Sequence, residues 1–348
     1  MTRVIFHTGT AKTGTTAIQA ELAANRAGLS ERGILYPETW KSFRHRADIQ
    51  SANAQHAMTQ AIARDSLKVQ AALKRFKTYL SEASNGHNTI LFSAESAYRL
   101  LKADGIRGQT DRRRRRKIYI AELSTFLQSF GALEYVVYFR RPESYATSLY
   151  TEAVCANGFD KDFQRLLSNS KLQFNYAFQV SLLRSHAPTR VHVYETAAKQ
   201  GLIQHFFDDN GLGDPFVTKT PPLRVSVSNG ATMWICRSNR EQSGDNKQRK
   251  RRWLFANQAE HADLFGTAKT SFWRSKSERD AFVEACRPKI PEELALPEPE
   301  EDVAPFCDWT DQQHHRTEET FRAWQEDQKD RIDARERARL APFMPDPS

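Results

Sequence analysis

Short apolar runs alternate with longer amphipathic segments over the first two thirds of the chain. The runs Val4–Phe6, Thr89–Ala94, Glu134–Phe139 and Arg190–Tyr194 are rich in β-branched and aromatic residues, which is typical of buried strands. The segments between them carry apolar residues at helical spacing. Strands that alternate with helices favour βαβ crossovers. The pattern therefore predicts an α/β fold, with a parallel β-sheet flanked by helices.

The spacing of apolar residues also predicts where the helices lie. We expect helices over residues 15–31, 56–80 and 118–130, the last beginning after the run Arg112–Arg116. Residues 160–187 carry a similar helical pattern. Gly33 is a stop signal for the first of these helices.

The last third of the chain has a different character. Its apolar residues are sparser, and helical patterns recur up to a charged segment over residues 309–338. Residues 291–305 are rich in proline and acidic residues, which indicates a linker or surface loop. We predict a core over residues 1–230 and a mostly helical C-terminal extension over residues 231–348, packed on the core.

The length and composition indicate how large a core the chain can build and which partners its charge favours. The chain has 348 residues, of which 39% are hydrophobic and 27% charged, so it can build a packed core. Its formal net charge is +9. A basic balance favours anionic partners such as nucleotides or acidic glycans, although for the net charge alone a solvated basic surface is the better explanation.

Three features of the sequence indicate a cytoplasmic protein. The first strand begins at about the third residue, which leaves no room for a signal peptide, and no apolar run approaches the ~20 residues of a membrane span. The four cysteines are widely spaced, without a CxxC pair. We therefore expect reduced thiols, no zinc site and a cytoplasmic protein.

A glycine- and threonine-rich turn follows the first strand. Gly9 and Gly14 bracket it, and Lys12, Thr15 and Thr16 supply an ammonium and two hydroxyls. A turn that leads into a helix directs backbone N–H groups and partial positive charge at one place, which suits a phosphate. The glycines have the spacing of a nucleotide-triphosphate P-loop, but a threonine stands where that motif has its lysine.

A second phosphate-binding pattern follows the third strong strand. Arg140 comes at the end of that strand, Pro142 begins the next helix, and Ser148 lies on the second turn of that helix. Ligands of open α/β sheets bind at the carboxyl ends of the strands, and an arginine can donate two hydrogen bonds to one phosphate.

Together the two blocks resemble the sulfotransferases that use 3′-phosphoadenosine 5′-phosphosulfate (PAPS). The block His7–Thr16 is similar to their 5′-phosphosulfate loop, and Phe139–Pro142 through Ser148–Tyr150 is similar to their 3′-phosphate segment. The resemblance covers about residues 1–215 and is greatest to bacterial proteins described only as sulfotransferase-like. It implies a P-loop-like sulfotransferase core.

The resemblance also implies roles for individual residues. The donor-binding residues would be Lys12, Thr13, Gly14, Thr15, Thr16, Arg140, Ser148 and, in a loosely matching third segment, Arg224. Lys12 would also be catalytic, since it would stabilise charge on the bridging oxygen as the sulfuryl group leaves. No metal is implied.

An acceptor hydroxyl must lose its proton during transfer, and the family uses a glutamate or a histidine as the base. Glu95 is the first choice, because it follows the Thr89–Ala94 strand and should lie at the same sheet edge as the turn. His56 is the second choice. The alternatives are that Glu95 caps or pairs with the helix after it, that His56 is a surface residue, and that His7 is structural.

The run Arg112–Arg116 has several interpretations. It fits an acidic glycan or nucleic acid, a solvated helix start, or a basic lip around an anionic nucleotide. The absence of interleaved aromatic residues weakens the nucleic-acid interpretation. We favour a solvated or substrate-facing lip, and we expect no nucleic-acid partner.

The sequence therefore predicts a PAPS-dependent sulfotransferase that moves a sulfuryl group to a hydroxyl of a carbohydrate or a small metabolite. Two alternatives stay open at this point. One is an ATP-using, P-loop-like kinase, and the other is a non-catalytic nucleotide-binding scaffold.

Overall fold

The computed structural model describes residues 2–10, 13–38, 54–64, 67–103, 111–215, 227–241, 245–266, 270–299 and 306–340. Within these residues the chain forms two compact units. The first comprises Met1–Ser148, Leu167–Arg224 and Arg279–Glu300, and the second comprises Leu149–Leu166, Val225–Glu278 and Glu301–Ser348. The predicted boundary near residue 230 stays a prediction.

A five-stranded parallel sheet forms the centre of the first unit. Its strands are β1 (Arg3–Gly9), β2 (Ile34–Leu35), β3 (Thr89–Ser93), β4 (Ala132–Phe139) and β5 (Thr189–Val193), in the order β2-β3-β1-β4-β5. Every pairing is parallel. The predicted α/β fold, with a parallel sheet and flanking helices, is confirmed.

Helices follow the strands in alternation. Up to β5 they are α1 (Thr15–Ala24), α2 (Arg26–Glu31), α3 (Ala54–Ile62), α4 (Leu67–Ala83), α5 (Arg112–Gln128), α6 (Pro142–Asn157), α7 (Phe163–Asn169) and α8 (Tyr176–Arg184). After β5 they are α9 (Tyr194–Lys199), α10 (Leu202–Asn210), α11 (Asn229–Glu241), α12 (Asp245–Asn257), α13 (Ala262–Phe265), α14 (Lys276–Cys286) and α15 (Asp311–Leu340).

The central strands are buried on both faces, which explains their continuous apolar sequence. On one face Ile5 and Val136 pack with Ile18 and Leu22 of α1 and with Phe206 of α10. The strand residues of the other face include Phe6, Phe92 and Tyr135, whose rings lie about 6 Å apart. The sheet is thus packed between helical layers.

Three predicted helices have different boundaries in the structure. The helix expected over residues 15–31 divides at Asn25, whose side-chain amide donates to Glu21 O (2.8 Å) and ends α1. The helix expected over residues 56–80 is two helices, α3 and α4. The pattern over residues 160–187 likewise forms two separate helices, α7 and α8.

Helix α5 begins earlier than the sequence predicts, because the arginine run is its first turn. Asp111 is the N-cap, and its carboxylate accepts a hydrogen bond from Arg114 N (3.2 Å). Arginine has a high helix propensity, so a capped run of arginines can begin a helix. The run therefore has a helical face directed inward and another directed outward.

The second unit is helical and has an aromatic core. Trp234 of α11 and Trp253 of α12 pack edge to face, with ring centroids 5.3 Å apart, and Phe321 of α15 packs on both. Lys250 is fully buried there, and its ammonium pairs with Glu318 of α15. The predicted C-terminal helix is present and is anchored by this ion pair and by Phe321.

Among the residues that the structure describes, none of the helices combines the length and the apolar character that a membrane crossing requires.

Candidate active site

Four strands of the sheet end beside one another at its carboxyl edge, and predicted site residues follow three of them. The turn with Gly14 follows β1, Glu95 follows β3 and Arg140 follows β4. Tyr194 follows β5 directly. Because all the strands are parallel, these residues are brought to one edge.

Two hydrogen bonds join the two blocks. Thr10 N donates to Tyr138 O (3.0 Å), and Thr10 Oγ1 accepts from Arg140 N (3.0 Å). Gly9 permits this close approach, since a Cβ there would lie 2.4 Å from Tyr138 O. The turn after β1 and the segment after β4 are therefore neighbours, as the resemblance requires.

The turn ends at a helix N-terminus that suits an anion. Gly14 is the N-cap of α1, adopts the left-handed conformation (φ 70°) and makes no side-chain capping bond. The first N–H groups of a helix have no partner within it. Thr13 and Thr15 are buried beside this terminus with their hydroxyls 3.5 Å apart, and Thr16 is exposed.

Two predicted donor-site residues lie outside the described residues. They are Lys12, which belongs to the turn, and Arg224, which belongs to the loosely matching third segment. Their predicted roles stay predictions.

Arg140 and Ser148 are in direct contact. Arg140 Nη1 donates to Ser148 Oγ (2.7 Å). This bond uses one of the five N–H donors of a guanidinium. The nearest carboxylate oxygen is Glu195 Oε1, 3.8 Å from Arg140 Nε. About a quarter (26%) of the Arg140 side chain is exposed, so it can bind an anion from solvent.

Tyr194 lies between the two blocks, and the sequence analysis missed it. Its ring centroid is 5.6 Å from Arg140 Cζ, a cation–π contact. Its Cε2 would be 3.6 Å from a Cβ on Gly14. The available signal is its position at the end of the predicted strand Arg190–Tyr194, because parallel strands bring their carboxyl ends to one edge of the sheet.

Glu95 lies in a short 3-10 helix, Glu95–Tyr98, that follows β3. This segment is tied to β1, because Ala94 N donates to His7 O (2.9 Å) and Thr8 Oγ1 donates to Ala94 O (3.2 Å). Glu95 itself is half-buried. Its position agrees with the expected edge of the sheet, and its role as a base stays a prediction.

His56 lies close to the Glu95 segment in a chain of hydrogen bonds. Gln19 Nε2 donates to Ser93 O (2.9 Å), which orients the amide, and the same nitrogen is 3.2 Å from His56 Nε2. His56 Nε2 therefore accepts, and Nδ1–H donates to Ser96 Oγ (2.9 Å). In this tautomer the lone pair on His56 Nε2, which a base would use to accept a proton, already accepts the hydrogen bond from Gln19.

His7 is fully buried beneath the turn, where its Nδ1 is 2.9 Å from Ser93 Oγ. Burial, with a smaller contribution from His192, lowers the pKa of His7 to about 3. The imidazole is thus neutral near pH 7 and packs against the rings of Tyr138 and Phe206. These contacts agree with the structural role expected for His7.

A separate cavity of about 470 Å³ lies at the other edge of the sheet. Its lining includes Arg3, Ile34 and Thr89, the first residues of three strands, together with Arg32. No predicted site residue contributes to it. Within the described residues, no group of three or more His, Cys, Asp or Glu side chains is arranged to hold a metal ion.

Comparisons with known proteins give little further information. No protein-family model matches the chain, and no curated protein matches it. Among solved structures, a sulfotransferase from Alicyclobacillus acidocaldarius is similar at 12% sequence identity and a TM-score of 0.37. That similarity covers 81% of this chain and 98% of the other. Identity and TM-score are both too low to support a conclusion about function.

Proposed function

We propose that the protein is a sulfotransferase, which transfers a sulfuryl group from PAPS to a hydroxyl of a carbohydrate or a small metabolite. The observation that carries this proposal is the hydrogen bond between Arg140 N and Thr10 Oγ1 (3.0 Å). It joins two anion-binding elements at one sheet edge. Such a pair suits a nucleotide that carries phosphate at both its 5′ and 3′ ends.

The 5′ end of the nucleotide would bind at the N-terminus of α1. In support, the N-cap is Gly14 without a side-chain cap, and the hydroxyls of Thr13 and Thr15 lie beside it. Backbone N–H groups and the helix dipole favour a negative group there. Lys12 and Thr16 complete the proposed set, with Lys12 stabilising the charge that develops on the bridging oxygen.

The 3′-phosphate would bind to Arg140 and Ser148. Their contact (2.7 Å) orients the guanidinium, and the distance of 3.8 Å to Glu195 leaves the charge only partly compensated. Charge-assisted bonds from arginine to phosphate are among the stronger hydrogen bonds in proteins. This second phosphate site is what distinguishes the proposed ligand from ATP.

Glu95 is the proposed base. The acceptor oxygen forms a bond to sulfur while the bond from sulfur to the bridging oxygen breaks, and the acceptor proton passes to the Glu95 carboxylate. The fixed tautomer of His56, with Nε2 accepting from Gln19 (3.2 Å), favours Glu95 over His56. His56 would instead orient the hydroxyl of Ser96, the residue that follows Glu95 in the chain.

Calorimetry with the product nucleotide, 3′-phosphoadenosine 5′-phosphate (PAP), tests the proposal directly. We expect PAP to bind at micromolar or lower concentration without added metal, and ATP with Mg²⁺ to bind far more weakly. Binding of ATP with Mg²⁺ in preference to PAP would instead favour the kinase alternative.

A further inference from the structure

The arginine run at the start of α5 is divided by the helix between solvent and interior. Arg113 and Arg114 are exposed, whereas only 1% of Arg116 is exposed. A basic lip would keep its guanidinium groups in solvent, so Arg116 does not belong to the predicted lip. Its burial requires another explanation.

Arg116 binds the segment that begins with Glu95. Its Nη1 donates to Ala97 O (2.5 Å) and to Leu100 O (2.9 Å). Its Nε donates to Gln179 Oε1 of α8 (2.9 Å). The Ala97 carbonyl lies in the 3-10 helix Glu95–Tyr98, and the Leu100 carbonyl lies just after it. Arg116 Nη1 therefore connects the two.

The neighbouring arginine holds the far end of the same segment. Arg115 Nε donates to Lys102 O (2.6 Å), and Lys102 N donates to Arg115 O (3.2 Å). The Lys102 ammonium is in turn paired with Glu122 Oε2 (2.6 Å) on α5. Residues 97–102 are thus tied to α5 at both ends.

The free-energy cost of burying a cation argues against a role in which the Arg116 side chain only fills space. A buried cation is costly unless it is paired and hydrogen-bonded. Burial lowers the pKa of Arg116, and the nearby groups that oppose this effect are tyrosines, the largest effect coming from Tyr119. An apolar side chain of similar length would fill the same space without this cost, but it could not bind the two carbonyls.

We propose that Arg116 is a positioning residue, which fixes the segment bearing Glu95 so that the carboxylate faces the acceptor hydroxyl. Arg115 assists by holding the end of this segment at Lys102. The inference rests on the proposed function, since it assigns Arg116 to the support of the proposed base. It explains why an arginine of the run is buried against the carbonyls of Ala97 and Leu100 rather than exposed.

Two substitutions of Arg116 test this inference against a matched control. Arg116→Met removes the donors and keeps the length, Arg116→Lys keeps a cation with fewer donors, and Arg113→Met alters an exposed arginine of the same run. We would measure PAP affinity by calorimetry and the release of PAP from PAPS with water as the acceptor. Hydrogen exchange of the peptide over residues 94–103 reports directly on the segment.

We expect Arg116→Met to lower kcat about 10- to 100-fold, because a catalytic group displaced by about 1 Å loses up to that much rate, and to leave PAP affinity within about 2-fold. Exchange of the 94–103 peptide should accelerate, and the acid limb of the pH–rate profile, assigned to Glu95, should shift. Arg116→Lys should recover part of the rate, and Arg113→Met should match the wild type in all four measurements.

Two results would overturn the inference. One is a folded Arg116→Met protein with unchanged exchange, kcat and pH profile. The other is an equal loss of PAP affinity and kcat, which would indicate general damage to the donor site. If Arg116→Met does not fold, the same criteria apply to Arg116→Lys. Failure of the wild type to bind PAP would refute the proposed function instead, while hydrogen exchange would still test the contact between Arg116 and the segment.

Discussion

The two edges of the sheet both carry arginines, but their partners differ. At the amino edge, Arg3 makes two hydrogen bonds of 2.9 Å to the carboxylate of Glu134, and Arg190 pairs with Asp209 at 2.6 Å. At the carboxyl edge, Arg140 donates to a serine hydroxyl, and its nearest carboxylate is 3.8 Å away.

This difference is more informative than the presence of a cavity. The 470 Å³ cavity lies at the amino edge, where the Arg3 guanidinium that lines it is already neutralised. An anion gains little from a guanidinium that is paired with a carboxylate, because it would have to displace that partner. The partly compensated Arg140 therefore identifies the more suitable anion site.

The largest effect should come from a substitution at the carboxyl edge that removes the proposed base. Glu95→Gln should lower kcat about 10²- to 10⁴-fold, the usual contribution of general base catalysis, and leave PAP affinity nearly unchanged. Glu134→Gln, at the amino edge, is the matched control and should retain turnover. Rates of PAP release from PAPS check both variants, and full turnover by Glu95→Gln would make the base assignment wrong.

Next in size is the effect of removing an arginine from each edge. Arg140→Ala should weaken PAP binding about 100-fold, because a charge-assisted pair with the 3′-phosphate is lost. Arg3→Ala should instead lower stability by about 1–2 kcal/mol and keep PAP affinity, since it removes two hydrogen bonds to the Glu134 carboxylate and leaves it the contact with Arg190 at 3.5 Å. Calorimetry and urea unfolding separate the two outcomes. Equal PAP affinity in the Arg140→Ala and Arg3→Ala variants would contradict the proposed difference between the two edges of the sheet.

Two glycines in left-handed conformations allow the same comparison through stability. Gly14 (φ 70°) lies at the carboxyl edge, and Gly211 (φ 63°) ends α10 and lines the amino-edge cavity. Both alanine variants should lose about 1 kcal/mol of stability through backbone strain. Gly14→Ala should lose a further ~1–3 kcal/mol, because its Cβ would lie 2.0 Å from Leu202 Cδ2. Equal losses, measured by urea unfolding, would contradict this account of Gly14.

The last two effects depend on pH. His7 has a folded-state pKa of about 3, below its unfolded value of 6.5, so its contribution to stability is present above pH 6.5 and is lost as the pH falls towards 3. His7→Asn should remove this loss, about 1.4 kcal/mol per pH unit below 6.5. Unfolding free energies measured at pH 7 and pH 5 should therefore differ less in the variant, and an unchanged difference would contradict the burial of a neutral His7.

Glu134 supplies the corresponding acid-sensitive group at the amino edge. The hydrogen bond from Arg3 lowers the pKa of Glu134 below its ordinary value of 4.5. Its stabilisation is present above pH 4.5 and is lost below it. Glu134→Gln should flatten the pH dependence of the unfolding free energy only below pH 4.5, so between pH 4.5 and pH 6.5 only the His7 variant has an effect. An effect of Glu134→Gln above pH 6 would not fit this assignment.

The sequence was sufficient to predict the fold because the signals for the fold are local. Apolar runs such as Glu134–Phe139 are buried strands, and their alternation with helices requires parallel pairing. The proximity of Arg140 and Ser148 also follows from local signals, since one lies at a strand end and the other on the second turn of the next helix.

What the sequence did not reveal depends on contacts between distant residues. The bond between Thr10 and Arg140 crosses 130 positions, and the burial of Arg116 depends on carbonyls at Ala97 and Leu100. The tautomer of His56 is set by Gln19, on another helix. A run of arginines has the same local pattern whether its side chains meet solvent or carbonyl oxygens.

The affinity contributed by the 3′-phosphate tests the central claim most directly. Calorimetry of the wild type and of Arg140→Ala, each with PAP and with adenosine 5′-monophosphate, isolates that contribution. We predict that PAP binds the wild type about 100-fold more tightly than the monophosphate, and that Arg140→Ala abolishes most of this difference. Equal binding of the two nucleotides by the wild type, or a difference that survives in Arg140→Ala, would contradict a 3′-phosphate site at Arg140.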